Sequence, residues 1–330
     1  MFSMTLVMLV IVLALLFDFI NGFHDTANAI ASAVATKALS PGAAIILAAN
    51  LNFLGAISGT AVASTIGQNI VNPRLIDPPV IVAALSGAII WNIITWYYGL
   101  PGSSSHALIG GLAGAVIISL GTGFINWQWL KDILAVLIVT PLTAFIAGIL
   151  TMRLLLLLLN NAQPSRTNNC FRKLQIVSAG MASFAHGSND AQKSMGIITM
   201  VLVGSGLLND FEVPFWVKIA CAAVMAAGTA VGGWKIIRTL SRQIFNLRPA
   251  NGFAADLTAS LIIYTASITG FPVSTTHVVS SSIIGVGAAQ RFRGVKWNTA
   301  LNIAVCWLIT VPAAALTASI IYMVINFTLL

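Results

Sequence analysis

Residues 99–106 read Gly-Leu-Pro-Gly-Ser-Ser-Ser-His, and residues 270–277 read Gly-Phe-Pro-Val-Ser-Thr-Thr-His. At a shift of 171 positions, four of the eight pairs are identical and two more exchange Ser for Thr. Upstream, the pattern Phe-x-x-Gly-x-x-Asp occurs at residues 19–25 and again at residues 184–190, at a shift of 165. Because both matches come in the same order, the sequence predicts a duplicated unit.

The composition around these motifs is that of an integral membrane protein. The 330 residues are 58% hydrophobic and only 7% charged, whereas soluble domains carry about 25% charged residues. So few charges cannot cover the surface of a soluble globular protein. The 53 residues 78–130 contain no charge at all. Such unbroken apolar blocks favour membrane-spanning helices over the short alternating strands of a β-barrel.

The distribution of positive charge predicts which loops face the cytoplasm. The net charge is +8, and most of the basic residues that lie outside apolar runs fall into three loops: Arg166, Arg172 and Lys173; Lys235, Arg238, Arg242 and Arg248; Arg291, Arg293 and Lys296. This asymmetry follows the positive-inside rule. Nucleic-acid binding is therefore an unnecessary explanation of the basic charge.

The same loops give the orientation of the two copies. Counting crossings between them assigns residues 1–159 to a first repeat, 160–174 to a basic cytoplasmic linker and 175–330 to a second repeat. The first repeat crosses the membrane an odd number of times, so the second is inserted upside down, as in many secondary transporters. We predict an all-α polytopic membrane protein with roughly 10–12 membrane segments, both termini lying outside.

The Gly-Pro-Ser segments interrupt apolar runs and leave short pieces behind them. Residues 106–120 and 277–290 comprise 15 and 14 residues, and a helix of that length is shorter than the ~30 Å hydrocarbon core. They are predicted to be broken helices or re-entrant half-helices, which are tolerated where the backbone lines a cavity or is buried in protein. The alternative is a pair of simple loops outside the membrane.

The hydroxyl triplets in these segments are predicted to bind an anion. Each precedes a helix start, where free N–H groups and the positive end of the helix dipole favour an oxyanion. Two seats related by the repeat can hold one tetrahedral anion between them, whereas either triplet alone fits ordinary capping equally well. The predicted cradle comprises Ser103, Ser104, Ser105, Ser274, Thr275 and Thr276, with Asn28 and Lys193 nearby.

Ionisable residues at membrane depth are costly and mark ion or substrate paths. Asp25, Asn189 and Asp190 are predicted to couple transport to a cation, because carboxylate and amide oxygens suit an alkali ion and a carboxylate can take a proton. Asp190 and Lys193 are three residues apart and so share a helix face. All four histidines lie in the repeated motifs and are candidate proton carriers or turn anchors: His24, His106, His186 and His277.

The motifs carry a family resemblance. Residues 21–30, Asn-Gly-Phe-His-Asp-Thr-Ala-Asn-Ala-Ile, and residues 184–196, Phe-Ala-His-Gly-Ser-Asn-Asp-Ala-Gln-Lys-Ser-Met-Gly, resemble the duplicated signature of the inorganic phosphate transporter (Pit) family in its short bacterial form. The resemblance covers essentially the whole chain. It implies cation-coupled phosphate uptake across the cell membrane, a homodimer, an anion held between the repeats, and termini outside.

One departure from the family pattern concerns the coupling ion. Many members carry Asp-x-Ala-Asn-Ala in both repeats, but here the second copy reads Asp-Ala-Gln-Lys-Ser, which puts Lys193 where a sodium-ligating asparagine would stand. Our hypothesis is that this tethered charge replaces one coupling cation or contacts the anion. A proton is then the favoured coupling cation, and Na+ at Asp25, Asn28, Asn189 and Asp190 is the alternative.

Two other functions are weighed against phosphate symport. A sulfate permease of the same family is the closer one, but phosphate carries a proton at neutral pH that Asp25 or Asp190 can accept, whereas both would repel proton-free sulfate. An intramembrane hydrolase would also use Ser, His and Asp. The sequence lacks a Gly-x-Ser-x-Gly elbow and a His-Glu-x-x-His motif, and each Ser/His cluster occurs twice. We therefore predict a transporter rather than an enzyme, with no cofactor.

Overall fold

Every regular element in the described residues is helical, which confirms the predicted all-α class. The computed structural model describes residues 4–160, 163–232, 236–237, 239 and 244–329. The α-helices are α1 (Met4–Ala35), α2 (Pro41–Ile57), α3 (Ala61–Ser64), α4 (Pro78–Tyr97), α5 (Ser104–Ser119), α6 (Trp127–Leu158), α7 (Pro164–Gly204), α8 (Phe215–Val231), α9 (Pro249–Thr269), α10 (Thr275–Arg291) and α11 (Trp297–Leu329). A π-helical turn over Thr65–Asn69 extends α3.

Prolines and hydrogen-bonding side chains fix where several helices begin. Pro41, Pro78 and Pro249 stand in the first turns of α2, α4 and α9, where a missing N–H breaks no helical hydrogen bond. The side chain of Ser40 accepts a hydrogen bond from the N–H of Ala43, and that of Asn126 accepts one at the start of α6. Pro78 and Pro249 are themselves 171 positions apart, so the repeat extends through α4 and α9.

The helix lengths match the predicted pattern of full spans and shorter pieces. The described residues contain ten helices of at least 16 residues. By length and apolar composition, five of these can cross a membrane, namely α1, α4, α6, α9 and α11, and the bent pair α2–α3 adds a sixth. The helices after the two Ser/Thr triplets, α5 and α10, have only 16 and 17 residues. At ~1.5 Å per residue they are about 25 Å long.

The two halves of the chain pack extensively against each other. Helix α1 lies on α8 and helix α2 on α7, while α6 packs on α10 and α11 on α5. Glycines make two of these contacts possible: Gly55 of α2 lies against the backbone carbonyl of Phe184, and Gly228 of α8 lies against that of Phe19. Phe19 and Phe184 are equivalent positions in the repeat. The same close helix contact is thus made twice, each time between the halves.

The connection between the halves contains more helix than the sequence predicts. Helix α6 ends at Leu158 and α7 begins at Pro164. Residues 164–174 of the predicted linker therefore form the first three turns of α7. The sequence missed this because the basic residues there interrupt the apolar pattern that marks the rest of the helix. Of the basic loop residues, Lys235, Arg238, Arg242 and the side chain of Arg166 lie outside the described residues.

Loops that the sequence assigns to one face are grouped together. Residues 245–248 and 290–294 line one small cavity, and the N–H of Lys296 donates to the carbonyl of Ile244. A second group contains residues 68–74, 123–126 and 209–211, in which the Arg74 guanidinium donates to the Asn209 carbonyl at 3.2 Å. The first group carries Arg248, Arg291 and Lys296, which belong to two of the three loops predicted to be cytoplasmic.

The buried apolar residues form two cores with a polar layer between them. In α1, residues 7–20 belong to one core and residues 29–31 to the other. In α7 the order is reversed, with Ala182 and Ala185 in the second core and residues 191–202 in the first. In both helices the polar motif lies between the part that packs in one core and the part that packs in the other. The fold therefore places both acidic signatures at one depth between two apolar layers.

Candidate functional site

The two Ser/Thr segments adopt the same local structure at the starts of α5 and α10. Gly99 and Gly270 hold positive φ angles of 67° and 79°, which favour glycine and turn the chain before each segment. Ser103 then accepts a hydrogen bond from the N–H of His106 at 3.2 Å, and Ser274 accepts one from the N–H of His277 at 3.3 Å. These two predicted cradle residues are therefore the N-caps of α5 and α10.

The hydroxyls that follow the caps face the two carboxylates. Ser104 donates to Asp25 Oδ2 at 3.2 Å, and its equivalent Thr275 donates to Asp190 Oδ2 at the same distance. Thr276 donates to Asp25 Oδ1 at 3.0 Å and in turn accepts a hydrogen bond from the Asn28 amide at 2.8 Å. The structure thus brings most of the predicted anion cradle and the predicted cation-coupling residues into one cluster.

Ser105 and Asn189 contribute in another way. Ser105 donates to the carbonyl of Val273 at 2.7 Å, which ties the start of α5 to the segment before α10. The side-chain Oδ1 of Asn189 accepts a hydrogen bond from the N–H of Val273 at 3.2 Å. The side-chain amide of Asn189 donates to the Ser267 hydroxyl and to the backbone carbonyl of Phe271. Both side chains hold the break between α9 and α10 in place.

The Asp190 carboxylate lies at the centre of a second group of contacts. Lys193 Nζ donates to its Oδ1 at 2.7 Å, and both side chains are fully buried. The Asn21 amide approaches Oδ2 at 3.3 Å, and His186 Nε2 lies 3.4 Å from the same oxygen. A buried ion pair of this kind satisfies the charge of Asp190 within the protein.

The four predicted histidines divide into two pairs. His24 Nδ1 lies 2.7 Å from Asp25 Oδ1, and His186 adjoins Asp190, so one histidine accompanies each carboxylate. His106 and His277 instead face each other across the repeat, with ring centroids 4.5 Å apart. The ring of His277 is also stacked on Trp307 at 3.9 Å. The second pair thus packs the two half-helices together.

The whole cluster is closed to solvent. All fifteen predicted site side chains are at most 8% exposed. Among the described residues, the Oδ1 atoms of Asn21 and Asn28 are buried without a hydrogen-bond partner, which leaves acceptor capacity beside the carboxylates. Ligand atoms of Asp25, His186 and Asp190 lie within 4.8 Å of one another, close enough to hold one cation. The cluster therefore offers hydroxyl donors and cation ligands in a buried layer.

Comparison with known proteins identifies the chain's family. The model of the phosphate transporter family matches the chain twice, over residues 21–165 and again over residues 159–318. The chain belongs to the phosphate transporter family. Membership in a family of transporters confirms the predicted resemblance and the prediction that the protein is not an enzyme. The double match also agrees with the duplicated unit read from the motifs.

Similar phosphate transporter family members cover nearly the whole chain. A probable low-affinity inorganic phosphate transporter of Bacillus subtilis is 50% identical over 324 residues, 97% of each chain. One of Rhizobium meliloti is 46% identical over 94% of each chain. A solved structure described as the sodium-dependent phosphate transporter has the same fold, with a TM-score of 0.90 at 24% identity, covering 98% of this chain and 100% of that one.

The sequence reasoning missed several buried polar residues of this phosphate transporter family member. Asn21 and Asn52 contact the site, Asn52 through a 3.0 Å hydrogen bond to His186. Asp256 of α9 accepts a hydrogen bond from Ser32 of α1 at 2.5 Å and is buried. The sequence feature that could have identified Asp256 is the small number of acidic residues in the chain. Asp256 is one of only eight, and it directly precedes an uncharged run.

Proposed function

We propose that this protein takes up inorganic phosphate across the cytoplasmic membrane by cation symport, with a proton as the coupling cation. The observation that carries this proposal is the junction of the two half-helix starts with two carboxylates. Ser104 and Thr276 meet Asp25 there, and Thr275 meets Asp190. Hydroxyl donors, helix N-termini and acidic acceptors then surround one buried place between the halves of the chain.

The chemistry of this junction fits a protonated oxyanion. The hydroxyls of Ser104 and Thr275 can turn from the carboxylates to phosphate oxygens, and the free N–H groups of α5 and α10 add the positive ends of two helix dipoles. A phosphate O–H can then donate to the carboxylate that the hydroxyl has left. Sulfate has no proton to offer at neutral pH, so one carboxylate would be left facing a dianion. This difference favours phosphate over sulfate.

Uphill uptake of an anion requires cotransported positive charge. Moving one negative charge against an inside-negative potential costs about 2.3 kcal/mol per 100 mV. Lys193 supplies one fixed positive charge next to Asp190, which supports coupling to fewer mobile cations than a site with asparagine in both repeats. A symporter of this kind would accumulate phosphate with protons, whereas an anion channel would let phosphate leak outward.

Alternating access accounts for the closed site and the duplicated helices. The two repeats are proposed to lie in opposite orientations in the membrane. The break before α5 and the break before α10 would then lie at the same depth, and their helices would enter from opposite faces of the membrane. The pairs α1–α8 and α2–α7 then form equivalent contacts that can open on opposite faces. The described structure has the site shut off from solvent, as expected of an intermediate between those openings.

The proposed orientation places the basic loops in the cytoplasm and both termini outside. Exposed leucine and isoleucine side chains on α6 and α11, such as Leu142, Leu150, Leu308 and Leu316, would face lipid or, as the family resemblance implies, a second copy of the chain. The basic loop residues Arg248 and Lys296 would then lie at the cytoplasmic surface, in agreement with the positive-inside rule.

Radiolabelled phosphate uptake into proteoliposomes tests the function. The purified protein is given an inward proton gradient or an inward sodium gradient, each with and without excess unlabelled sulfate. We expect uptake with acid outside that neither sodium nor sulfate changes. Sodium-driven uptake would keep the substrate but contradict proton coupling. Sulfate accumulation without phosphate uptake would assign the protein to sulfate transport instead.

A further inference from the structure

Helices α1 and α7, which carry the two acidic motifs, differ by one carboxylate and one ammonium at buried positions. At the shift of 165 that aligns Asp25 with Asp190, Asp18 of α1 corresponds to Ser183 of α7, and Asn28 corresponds to Lys193. Both charged residues are fully buried. Each therefore stands where the other repeat has a neutral side chain.

These two departures from symmetry lie close to each other. The charges that act on Asp18 are those of Asp190 and Lys193, and Lys193 is hydrogen-bonded to Asp190 at 2.7 Å. The ammonium of Lys193 is thus bonded to the Asp190 carboxylate and lies within electrostatic reach of Asp18. When all three groups are ionised, the buried triad carries a net charge of −1; one proton on Asp18 brings it to zero.

The surroundings of Asp18 are those of a titratable group rather than of a structural ion pair. Neither of its oxygens accepts a full hydrogen bond from another described residue. The hydroxyl of Ser194 and the thiol of Cys221 face it from α7 and α8. The equivalent neighbours of Ser183 are Ala29 of α1 and, through the Gly55–Gly228 correspondence, Ala48 of α2, so the polar surroundings of Asp18 occur in one repeat alone.

The groups around Asp18 limit what else can titrate there. Helix α7 contributes Asp190 and Lys193, while the His186 side chain of the same helix is engaged with Asn52 and Asp190. Helix α8 contributes Cys221, and the tyrosine of α4, Tyr97, stands at the last position of that helix, among exposed residues. Asp18 lies seven residues before Asp25, about 10 Å along the helix. It is near enough to sense the anion site without being part of it.

We propose that Asp18 is the proton carrier of this transporter and that Lys193 is the fixed cation that balances Asp190 beside it. The inference rests on the proposed phosphate symport. An anion entering next to a triad of net charge −1 is repelled, whereas a triad neutralised by a proton on Asp18 admits it. Phosphate binding and proton binding at Asp18 therefore strengthen each other, and this reciprocal linkage is what symport requires.

The test compares Asp18→Asn with native protein and with Asp132→Asn, which changes a partly exposed carboxylate in the second turn of α6. Two quantities are measured: protons taken up on phosphate binding in detergent, by an indicator dye, and phosphate movement in proteoliposomes. A pH difference of one unit equals 1.36 kcal/mol and sustains about tenfold accumulation per coupled proton. We expect native and Asp132→Asn proteins to take up protons with phosphate and to accumulate it.

In Asp18→Asn, we expect proton uptake to disappear and accumulation to fall to equal concentrations on both sides. Phosphate exchange without a gradient should remain within a few-fold of native. Native proton uptake and accumulation in this variant would overturn the inference, and so would loss of exchange in folded protein, since that would place Asp18 in the anion site. Should Asp18→Asn not fold, Asp18→Glu is expected to keep the coupling but to shift the pH dependence of uptake, and an unchanged pH dependence would overturn the inference.

Failure of the proposed function can be told apart from failure of this inference, because in that case the native protein itself would not transport phosphate.

Discussion

The side-chain amide of Asn28 donates a hydrogen bond to Thr276, 248 residues later in the chain, at 2.8 Å. The Thr276 hydroxyl in turn donates a hydrogen bond to Asp25 Oδ1 at 3.0 Å. Three residues of the acidic and hydroxyl motifs, one from the second repeat and two from the first, are thereby joined in a single chain of hydrogen bonds. In a low-dielectric layer such a chain is strong when complete and costly when one member is removed.

Replacing Thr276 with valine should therefore reduce transport with little change in packing. The two side chains have the same shape, but valine leaves the Asn28 amide and one oxygen of Asp25 without their partner. Hydrogen bonds to charged groups contribute about 1.5–3 kcal/mol, so kcat/KM for phosphate should fall about tenfold or more in proteoliposome uptake. Thr265→Val is the matched control, because Thr265 is exposed and donates only to Leu261 of its own helix. Equal uptake by the two variants would contradict the prediction.

Replacing Lys193 with asparagine should create a requirement for an external cation. The change restores the residue of the first repeat and leaves Asp190 buried without its ion-pair partner, a loss that costs about 3–5 kcal/mol. We expect the variant to melt at a lower temperature in choline chloride, to be stabilised by sodium chloride, and to take up phosphate in response to sodium. Lys131→Asn, at an exposed position, should show none of these effects. Identical melting in both salts would argue against a cation-replacing role.

The sequence predicted the elements and the location of the site better than the contacts within it. Proline and Ser/Thr triplets have local consequences, so the starts of α5 and α10 could be placed from the motifs alone. Asn189 is predicted to take part in cation coupling, and its side chain also accepts a hydrogen bond from the N–H of Val273. The sequence could not reveal this second contact, because it depends on how α7 meets the break before α10. The sequence did not identify Asp256 as a buried polar residue for a related reason. Its partner Ser32 lies 224 residues away, and sequence spacing cannot reveal such a contact.

Removing either buried helix cap should destabilise the protein more than removing an exposed one. Ser103 and Ser274 cap helices whose starts are shut off from water, so alanine there leaves a buried N–H group unpaired. The expected cost is about 1–2 kcal/mol for each variant. Ser40→Ala is the control, since Ser40 caps α2 at an exposed position and water can replace its hydroxyl. Thermal melting in detergent compares the three variants, and an equal loss in all of them would refute the role of burial.

Alanine at Gly228 should disrupt the contact between the halves. A Cβ there would meet the carbonyl oxygen of Phe19, and a Cβ at Gly55 would meet that of Phe184. Backbone atoms cannot turn aside as a side chain can, so α1 and α8, or α2 and α7, must separate. Overpacking of this kind costs about 1–3 kcal/mol.

The matched control is Gly42→Ala in the first turn of α2, where an added Cβ meets nothing within 4 Å. Alanine favours helix over glycine by about 0.5–1 kcal/mol, so this variant should melt at the native temperature or above it. If α1–α8 and α2–α7 are equivalent contacts, Gly55→Ala and Gly228→Ala should lower the melting temperature by similar amounts. A large effect at one glycine and none at the other would show that the two contacts do not carry equal weight.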